Sequence, residues 1–354
     1  MNQSEEQYTA EAIADPHVHL REIGWVMSDV VRDCYDGGSD VIGPQPNTNS
    51  PRITEQEVSW YINSAKTFVN PLKPMSFIPF VMLTECTTRA ELEKCVATGI
   101  RDGKIYPYMR TTKSAHGVHC YSNMIPIVRW CGELGIKVHA HFEHPNSVHP
   151  NRDAEYLCLP IAEIFLESTK AIIVWEHGSD GRCVRAWKKF ANDFPGRFYL
   201  TLTAHHLAWD EDSAFGDVRK KCKPPIKTDL DRLQLISLIG ENHYWVMAGS
   251  DAAPHDVENK HAHKGKCSCG DYTAPFLHLL YAHALSHLFL TPRGIEIYIN
   301  FTSRNARSLH KLPRSSRNVI LVRKPFTIPP FYKVGDWTVE PPGVGEVLEF
   351  QIAK

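Results

Sequence analysis

The sequence predicts an α/β protein whose main part is a closed (β/α)8 barrel of the TIM type, followed by a short C-terminal extension. Short apolar segments that end in polar, Gly or Pro residues alternate with longer segments of helical period, which is typical of parallel βα units. Eight such units follow one another, and a parallel sheet with that many strands closes well into a barrel. A chain of 354 residues is long enough for one such domain.

The strands are predicted at residues 12–20, 39–44, 76–84, 100–106, 136–141, 171–177, 198–203 and 244–250. The helices are predicted at residues 25–35, 54–68, 89–98, 124–134, 155–169, 183–193, 229–239 and 276–288. Glycines such as Gly135 and Gly240 stand where helices should stop. An open doubly wound sheet is the alternative, but no Gly-rich phosphate loop follows the first strand.

The last segment of the chain differs in composition from the rest. A further helix ends near Asn305, and from Lys311 onward Pro and β-branched residues become frequent. We therefore predict a barrel domain over residues 1–310 and an extension over residues 311–354 that packs on it.

Charge and hydropathy narrow the class of function. The net charge of −1 creates no field that favours nucleic acid or an anionic membrane, so a small molecule is the expected partner. Residues 1–8 are polar, and no apolar run approaches the ~20 residues of a membrane span, which predicts a soluble cytoplasmic protein. Because no export signal is found, the ten cysteines are interpreted as reduced thiols.

Function in a parallel barrel lies where the strands end at their C-terminal edge. Polar residues recur at these ends, and the candidate metal ligands among them are His17, His19, Lys104, His141, His177 and Asp251. His17 and His19 are two residues apart on a strand, so their side chains share a face and can bind one metal ion. Such a pair alone is a weak signal and is more often two polar loop histidines, but the other residues on the same rim favour a metal site.

Lys104 is the unexpected member of this group. It could be a surface lysine, a Schiff-base lysine of the aldolase kind, or a lysine whose amine is capped by carbon dioxide. An ammonium would repel a divalent cation, whereas a carbamate is an anion with two oxygens that can bridge two metals. The neighbouring imidazoles therefore favour the carbamate.

Together, the strand-end residues resemble those of the amidohydrolase superfamily with a binuclear metal centre. Within it, the resemblance is to dihydroorotases of the short, monofunctional bacterial and fungal type, through the runs KIYPYMRTTKSAHGV (104–118), WEHGS (175–179), GSDAAPH (249–255) and CSCGDYTAP (267–275). The likeness extends from about Asp15 to the C-terminus. It departs in DPHVHLREIG, where bacterial members usually have an aromatic residue before the first His and RDG after the second, and in QPN, which replaces MPN.

The resemblance implies two Zn²⁺ per chain. One ion would be held by His17, His19 and Asp251, the other by His141 and His177, and carboxylated Lys104 would bridge both. Asp251 would also act as general base and then general acid. The implied reaction is the reversible hydrolysis of the cyclic amide of L-dihydroorotate to N-carbamoyl-L-aspartate in pyrimidine biosynthesis.

For the carboxylate of that substrate, the resemblance implies Arg21, Asn47 and His255 as donors, and a guanidinium suits a planar anion. A salt bridge at the rim is the alternative for Arg21, and an ordinary turn is the alternative for Asn47.

Further contacts are implied on the loops. Thr111 and Thr112 match a loop that closes over the substrate, although such pairs are common in plain loops, and Lys223 and Cys269 match additional substrate contacts. His206 matches a position near the site, with a structural role as the alternative. The CxC spacing at residues 267–269 chelates poorly and is interpreted as part of a loop over the site, not as another zinc site.

Other functions remain as alternatives. A hydantoinase or allantoinase would share the metals but not the carboxylate donors, and a mononuclear deaminase would not need Lys104. A catalytically inactive scaffold would typically have lost metal ligands, and all six candidates are present. A homodimer is compatible with the sequence.

Overall fold

The computed structural model describes residues 6–145, 147–262 and 268–353. The strands are β1 Gln7–Glu11, β2 Ile13–Val18, β3 Ser39–Pro44, β4 Ser76–Phe77, β5 Phe80–Leu83, β6 Asp102–Ile105, β7 Lys137–Ala140, β8 Ile173–Trp175, β9 Phe198–Leu202, β10 Val246–Ala248, β11 Asn318–Thr327, β12 Tyr332–Val334, β13 Trp337–Val339 and β14 Val347–Ile352. The α-helices are α1 Trp25–Asp36, α2 Glu55–Thr67, α3 Arg89–Ala97, α4 Ile125–Leu134, α5 Leu159–Ser168, α6 Val184–Asp193, α7 Ala204–Ala208, α8 Glu211–Ala214, α9 Asp229–Gly240, α10 Val257–Lys260, α11 Leu277–Ala284, α12 Pro292–Ile299 and α13 Asn305–Leu309.

Two groups of parallel strands form the barrel wall. One has the order β2-β3-β4, and the other pairs β5 to β10 in chain order. The two groups meet between β2 and β10, where the His19 amide donates to the Ala252 carbonyl at 2.9 Å and Val18 bridges to Ala252. Within the described residues, the wall therefore closes, and the predicted barrel is confirmed.

The third barrel strand differs from the prediction. Residues 76–84 were expected as one strand, but they form β4 and β5 with a break at Ile78 and Pro79. Proline has no amide hydrogen to donate to a neighbouring strand, so it interrupts the ladder. The Ile78 amide still donates to the Ile42 carbonyl at 2.9 Å, which keeps the chain in the wall across the break.

The helices begin and end close to their predicted bounds, with local reasons. Thr54 and Thr228 form capping boxes at the starts of α2 and α9, and Gly135 adopts a left-handed φ of 71° after α4. The helix predicted at 155–169 starts as a 3-10 turn and becomes α-helical only at Leu159. The helix predicted at 276–288 ends at Ala284 and continues as a 3-10 turn.

The N-terminal strand β1 was not predicted. It pairs antiparallel with β11, which in turn pairs with β14, so the start and the end of the chain share one sheet. Tyr8 packs edge-on against Phe289, with ring centroids 5.0 Å apart, and against Phe350. The domain boundary at residue 310 stays a prediction.

None of the helices in the described ranges combines the length and the apolar character that a membrane crossing demands.

Candidate metal centre

The candidate residues lie at the C-terminal ends of the barrel strands, and three of them adopt an unusual backbone conformation. Arg21, His177 and Asp251 have φ values of 62°, 42° and 50°. Non-glycine residues rarely occupy this left-handed region, and such strain concentrates at functional sites. The strained backbone at these three residues therefore indicates that a functional site lies at the strand ends.

His17, His19 and Asp251 come together at the junction of β2 and β10. The Oδ1 atom of Asp251 lies 3.1 Å from Nε2 of His17 and 2.9 Å from Nε2 of His19. One ligand atom from each of the three lies within 4.8 Å of the others, and all three residues are buried. Burial lowers the pKa of His19 to about 4, so its imidazole is neutral, as a metal ligand must be.

Lys104 lies on β6 with its side chain fully buried in the barrel. Its Nζ has no hydrogen-bond partner among the described residues, and Oε2 of Glu176 is 3.9 Å away. Burial lowers its pKa to about 8, against the opposing effect of Glu176 and Asp251. A buried amine of this kind is partly neutral near pH 7.5, and the neutral amine is the form that combines with carbon dioxide.

His141 and His177 lie side by side, with ring centroids 4.5 Å apart, and the His17 ring is 5.1 Å from that of His177. The Nδ1 atom of His177 is buried without a partner in the described part of the chain. The Nε2 atom of His141 is 2.7 Å from Oε2 of Glu143.

These residues fit a metal centre. Buried polar atoms normally have hydrogen-bond partners, and an unpaired one is costly. Among the residues that the structure describes, the Lys104 amine and the His177 Nδ1 atom lack such partners, and both lie among imidazole and carboxylate groups of the kind that bind Zn²⁺. The structure thus brings the six sequence-predicted ligands into one buried region.

A narrow cleft adjoins this region. Its lining includes two candidate ligands and most of the predicted substrate contacts: His19, Asp251, Arg21, Asn47, Thr111, Thr112, Lys223 and Cys269. Gly270 also lines it, with a φ of 138°, and a Cβ there would lie 2.6 Å from that of Ala253. Only glycine fits this close approach.

Arg21 is held at the cleft by two contacts. Its Nε donates to the Pro254 carbonyl at 2.8 Å, and its Nη2 lies 2.8 Å from Nε2 of His255. His255 itself does not line the cleft; its Nε2 is also 2.9 Å from the Cys269 carbonyl. The predicted donor Asn47 is oriented by Tyr106, whose hydroxyl donates to Oδ1 of Asn47 at 3.0 Å.

The loop of Thr111 and Thr112 is closed over the cleft. Thr112 Oγ1 donates to the Cys269 carbonyl at 3.1 Å, and the Cys269 amide lies 3.2 Å from the same oxygen. The side-chain Nδ2 of Asn47 donates to the Thr112 carbonyl at 3.3 Å. The neighbouring Lys223 donates to Oδ1 of Asn151 at 2.5 Å.

His206 does not face the metal centre through a free nitrogen. Its Nδ1 is 2.8 Å from the Thr203 hydroxyl, and its Nε2 is 3.0 Å from the Pro224 carbonyl. Cys267, the first member of the CxC pair, lies outside the described residues.

Two carboxylates beside the centre were not assigned a role from the sequence. Glu143 contacts His141, and Glu176 contacts His17 through an Nδ1 to Oε2 distance of 2.5 Å. Glu143 lies two residues after His141 in the chain, and Glu176 directly precedes His177. This proximity to candidate ligands was the signal that the sequence offered. Carboxylates that orient metal-binding histidines are a general feature of such sites.

Comparison with known proteins agrees with this geometry. A dihydroorotase from Shewanella denitrificans is 31% identical over 350 residues, which covers 96% of each protein. The chain belongs to the dihydroorotase family. A solved dihydroorotase from Saccharomyces cerevisiae, in complex with 5-fluoroorotic acid, is 25% identical with a TM-score of 0.89 and covers 98% of each chain. No model of a known protein family matches the chain.

Membership of the dihydroorotase family confirms the resemblance predicted from the motifs. An L-hydantoinase from Arthrobacter aurescens has a TM-score of 0.83, with 13% identity and 98% of this chain and 83% of its own chain covered. At that identity the likeness shows the fold alone. The likeness to the Shewanella denitrificans dihydroorotase, in contrast, includes the sequence over nearly the full length of both chains.

Proposed function

We propose that this protein is a dihydroorotase that hydrolyses the cyclic amide of L-dihydroorotate to N-carbamoyl-L-aspartate, reversibly, in pyrimidine biosynthesis. The observation that carries this proposal is the cleft in which candidate metal ligands and the Arg21 guanidinium meet. A cyclic amide substituted with a carboxylate needs both features: a centre that activates water and a donor for the anion.

The proposed cofactor is two Zn²⁺ ions per chain, held by His17, His19, His141, His177, Asp251 and carboxylated Lys104. When bound, the ions would supply an activated water and polarise the carbonyl of the ring amide. The donor set supports this choice, because imidazole and carboxylate ligands suit zinc.

The protein's own residues would bind the substrate and move one proton. Arg21 would hold the substrate carboxylate through its guanidinium, with Asn47 and His255 beside it. Asp251 borders the cleft and would accept the proton of the attacking water, then deliver it to the ring nitrogen as the C–N bond breaks.

The closed loop would keep bulk water away from the reacting groups. Thr112 joins the loop to Cys269 across the cleft, and a closed site strengthens each electrostatic interaction within it. Thr111, Lys223 and Cys269 would complete the contacts with the substrate.

The test is ring opening of L-dihydroorotate by the purified protein, followed by absorbance, with metal content measured on the same sample. We expect activity together with about two zinc ions per chain. Two bound metals without this activity would contradict the proposal that L-dihydroorotate is the substrate. Cyclic amides that lack the carboxylate, such as hydantoin, would then be tested. Neither metal nor activity would favour an inactive scaffold. Light scattering on the same sample tests for a homodimer, which is compatible with the sequence.

A further inference from the structure

Glu176 is a buried carboxylate whose two oxygens face different histidines. It follows β8, and its side chain is fully inaccessible. Its Oε2 lies 2.5 Å from Nδ1 of His17 and accepts from the Thr201 hydroxyl at 3.1 Å. Its Oε1 lies 2.5 Å from Nδ1 of His139. Glu176 thus joins a candidate metal ligand to a second histidine deeper in the barrel.

His139 extends this series of contacts towards the opposite end of the barrel. It lies on β7, beside Lys104 in the strand register, and its Nε2 is 3.0 Å from Oδ1 of Asp102. Asp102 begins β6 and is held by Lys137, whose Nζ lies 3.2 Å from Oδ2. The result is a continuous buried series of contacts from His17 through Glu176 and His139 to Asp102.

The lower part of this series is not a metal site of its own. Asp102, His139 and His310 place ligand atoms within 4.8 Å of one another. However, the Lys137 ammonium is 3.1 Å from Oδ1 of Asp102, where it would repel a cation. Both nitrogens of His139 already face carboxylate oxygens. The series is therefore better suited to holding Glu176 than to binding an ion.

The orientation of His17 depends on this arrangement. An imidazole can offer either nitrogen to a metal, and a hydrogen bond at one nitrogen decides which remains available. Because Nδ1 donates to Glu176, the lone pair is left on Nε2, which lies 3.1 Å from Oδ1 of Asp251. The free nitrogen therefore faces the other candidate ligand of the same ion.

As a carboxylate, Glu176 can accept hydrogen bonds from His17, His139 and Thr201 at the same time. An anionic acceptor strengthens the bond to the imidazole and increases its basicity towards a metal.

We propose that Glu176 is a positioning residue, braced by His139 and Asp102, that fixes the ring orientation of His17 and so sets how firmly the metal centre is held. This inference rests on the proposed function only in that His17 binds a metal. It assigns to the barrel interior a role in metal retention that is separate from substrate recognition.

The experiment compares loss of zinc to a chelator, without substrate, in the wild type and in Glu176→Gln. Glutamine keeps the shape but not the charge, so it cannot act as an anionic acceptor for both histidines. We expect zinc affinity to fall by about 10- to 100-fold, the usual effect of removing such a partner. Unchanged zinc retention in a folded Glu176→Gln protein would overturn the proposal.

His278→Gln is the matched control. His278 is also fully buried and contacts Tyr298 through an Nδ1 to hydroxyl distance of 2.7 Å, outside the series. We expect zinc retention in this variant to equal that of the wild type. An equal loss of zinc in both variants would mean that general destabilisation, not positioning, is responsible.

A second variant tests the bracing and serves if Glu176→Gln does not fold. Asp102→Asn changes the far end of the series, two contacts from His17, and we expect a several-fold loss of zinc affinity. In the double variant with Glu176→Gln, the two effects should not add, because they act through one path. Wild-type retention in Asp102→Asn, or full additivity, would overturn the bracing. If zinc retention changes as expected in these variants but the wild-type protein does not act on dihydroorotate, the proposed function is contradicted and the role of Glu176 is not.

Discussion

At the scale of single residues, the strained turns at the strand ends are stabilised by contacts outside the site. The Arg21 carbonyl accepts a hydrogen bond from the Tyr61 hydroxyl at 2.7 Å, and the His177 amide donates to the Thr201 hydroxyl at 2.7 Å. A left-handed backbone costs roughly 1–2 kcal/mol at a non-glycine residue. These bonds offset part of that cost and keep the side chains directed at the centre.

Lys104→Ala should release the metals. The variant removes the only lysine amine that we place at the centre and leaves the imidazoles without their proposed bridge. We expect most of the zinc to be lost and activity to fall by at least about 100-fold. Metal analysis and the rate of ring opening, measured on one sample, check this. Lys189→Ala, at an exposed lysine on α6, is the control and should change neither value.

Arg21→Lys should weaken substrate binding more than it slows the chemical step. Lysine retains the charge but loses the planar pair of donors that matches a carboxylate. We expect KM to rise by about 10- to 100-fold, in line with the loss of a charge-assisted hydrogen bond, and kcat to change much less. A cyclic amide without a carboxylate, such as dihydrouracil, should not distinguish the variant from the wild type. Equal KM values for dihydroorotate would contradict a role of Arg21 in anion binding.

At the scale of elements, the loop between β6 and α4 is anchored at both of its ends. Pro107 and Val118 form a parallel bridge, and a Cβ at Gly117 would lie 2.7 Å from the Tyr106 carbonyl. The base of the loop is therefore tightly packed, while its tip reaches the cleft through Thr112. A loop built in this way can open at the tip without disturbing the barrel.

Thr112→Val should loosen the closed loop. Valine has a similar shape but cannot make either contact with the Cys269 backbone. We expect kcat/KM to fall by roughly 10-fold, since each lost hydrogen bond contributes about 1 kcal/mol, with little change in the melting temperature. Thr67→Val, at an exposed threonine of α2, provides the comparison. A parallel loss of activity in both variants would contradict a specific role of the loop.

The elements also differ in how well they could be predicted. Strand β3 has its predicted bounds at residues 39–44, because a short apolar run between a glycine pair and a proline is unambiguous. The break between β4 and β5 was missed, although Pro79 was visible. Strand β1 could not be found, because its alternating residues make sense only beside β11, some 300 positions later in the chain.

At the scale of the whole molecule, a buried histidine links stability to pH. His278 on α11 is fully inaccessible, and burial lowers its pKa to about 4 in the folded protein. The ordinary value of about 6.5 applies in the unfolded chain. Below pH 6.5 the unfolded state therefore binds a proton that the folded state does not, and stability falls until about pH 4.

The free energy of unfolding should accordingly fall more steeply with acid in the wild type than in His278→Gln. The difference between the two curves should change by up to about 3 kcal/mol between pH 6.5 and pH 4, since each pKa unit corresponds to about 1.4 kcal/mol. Chemical denaturation at several pH values measures it. The metal centre and the carboxylates contribute to both proteins alike, so parallel curves would show that His278 makes no contribution.

The amino-acid sequence was sufficient to predict the succession of strands and helices and the set of side chains at the strand ends. Apolar periodicity is local, and in a parallel barrel the C-terminal ends of all strands lie at one rim, so residues such as His17 and Lys104 can be assigned to a common site from the sequence. The folded structure was needed to show which of these atoms lack partners among the described residues, that Glu176 and His139 lie behind His17, and that β1 shares a sheet with β11 and β14. The physical reason is that hydrogen bonds and burial depend on distances between residues far apart in the chain, and these are fixed only when the barrel closes.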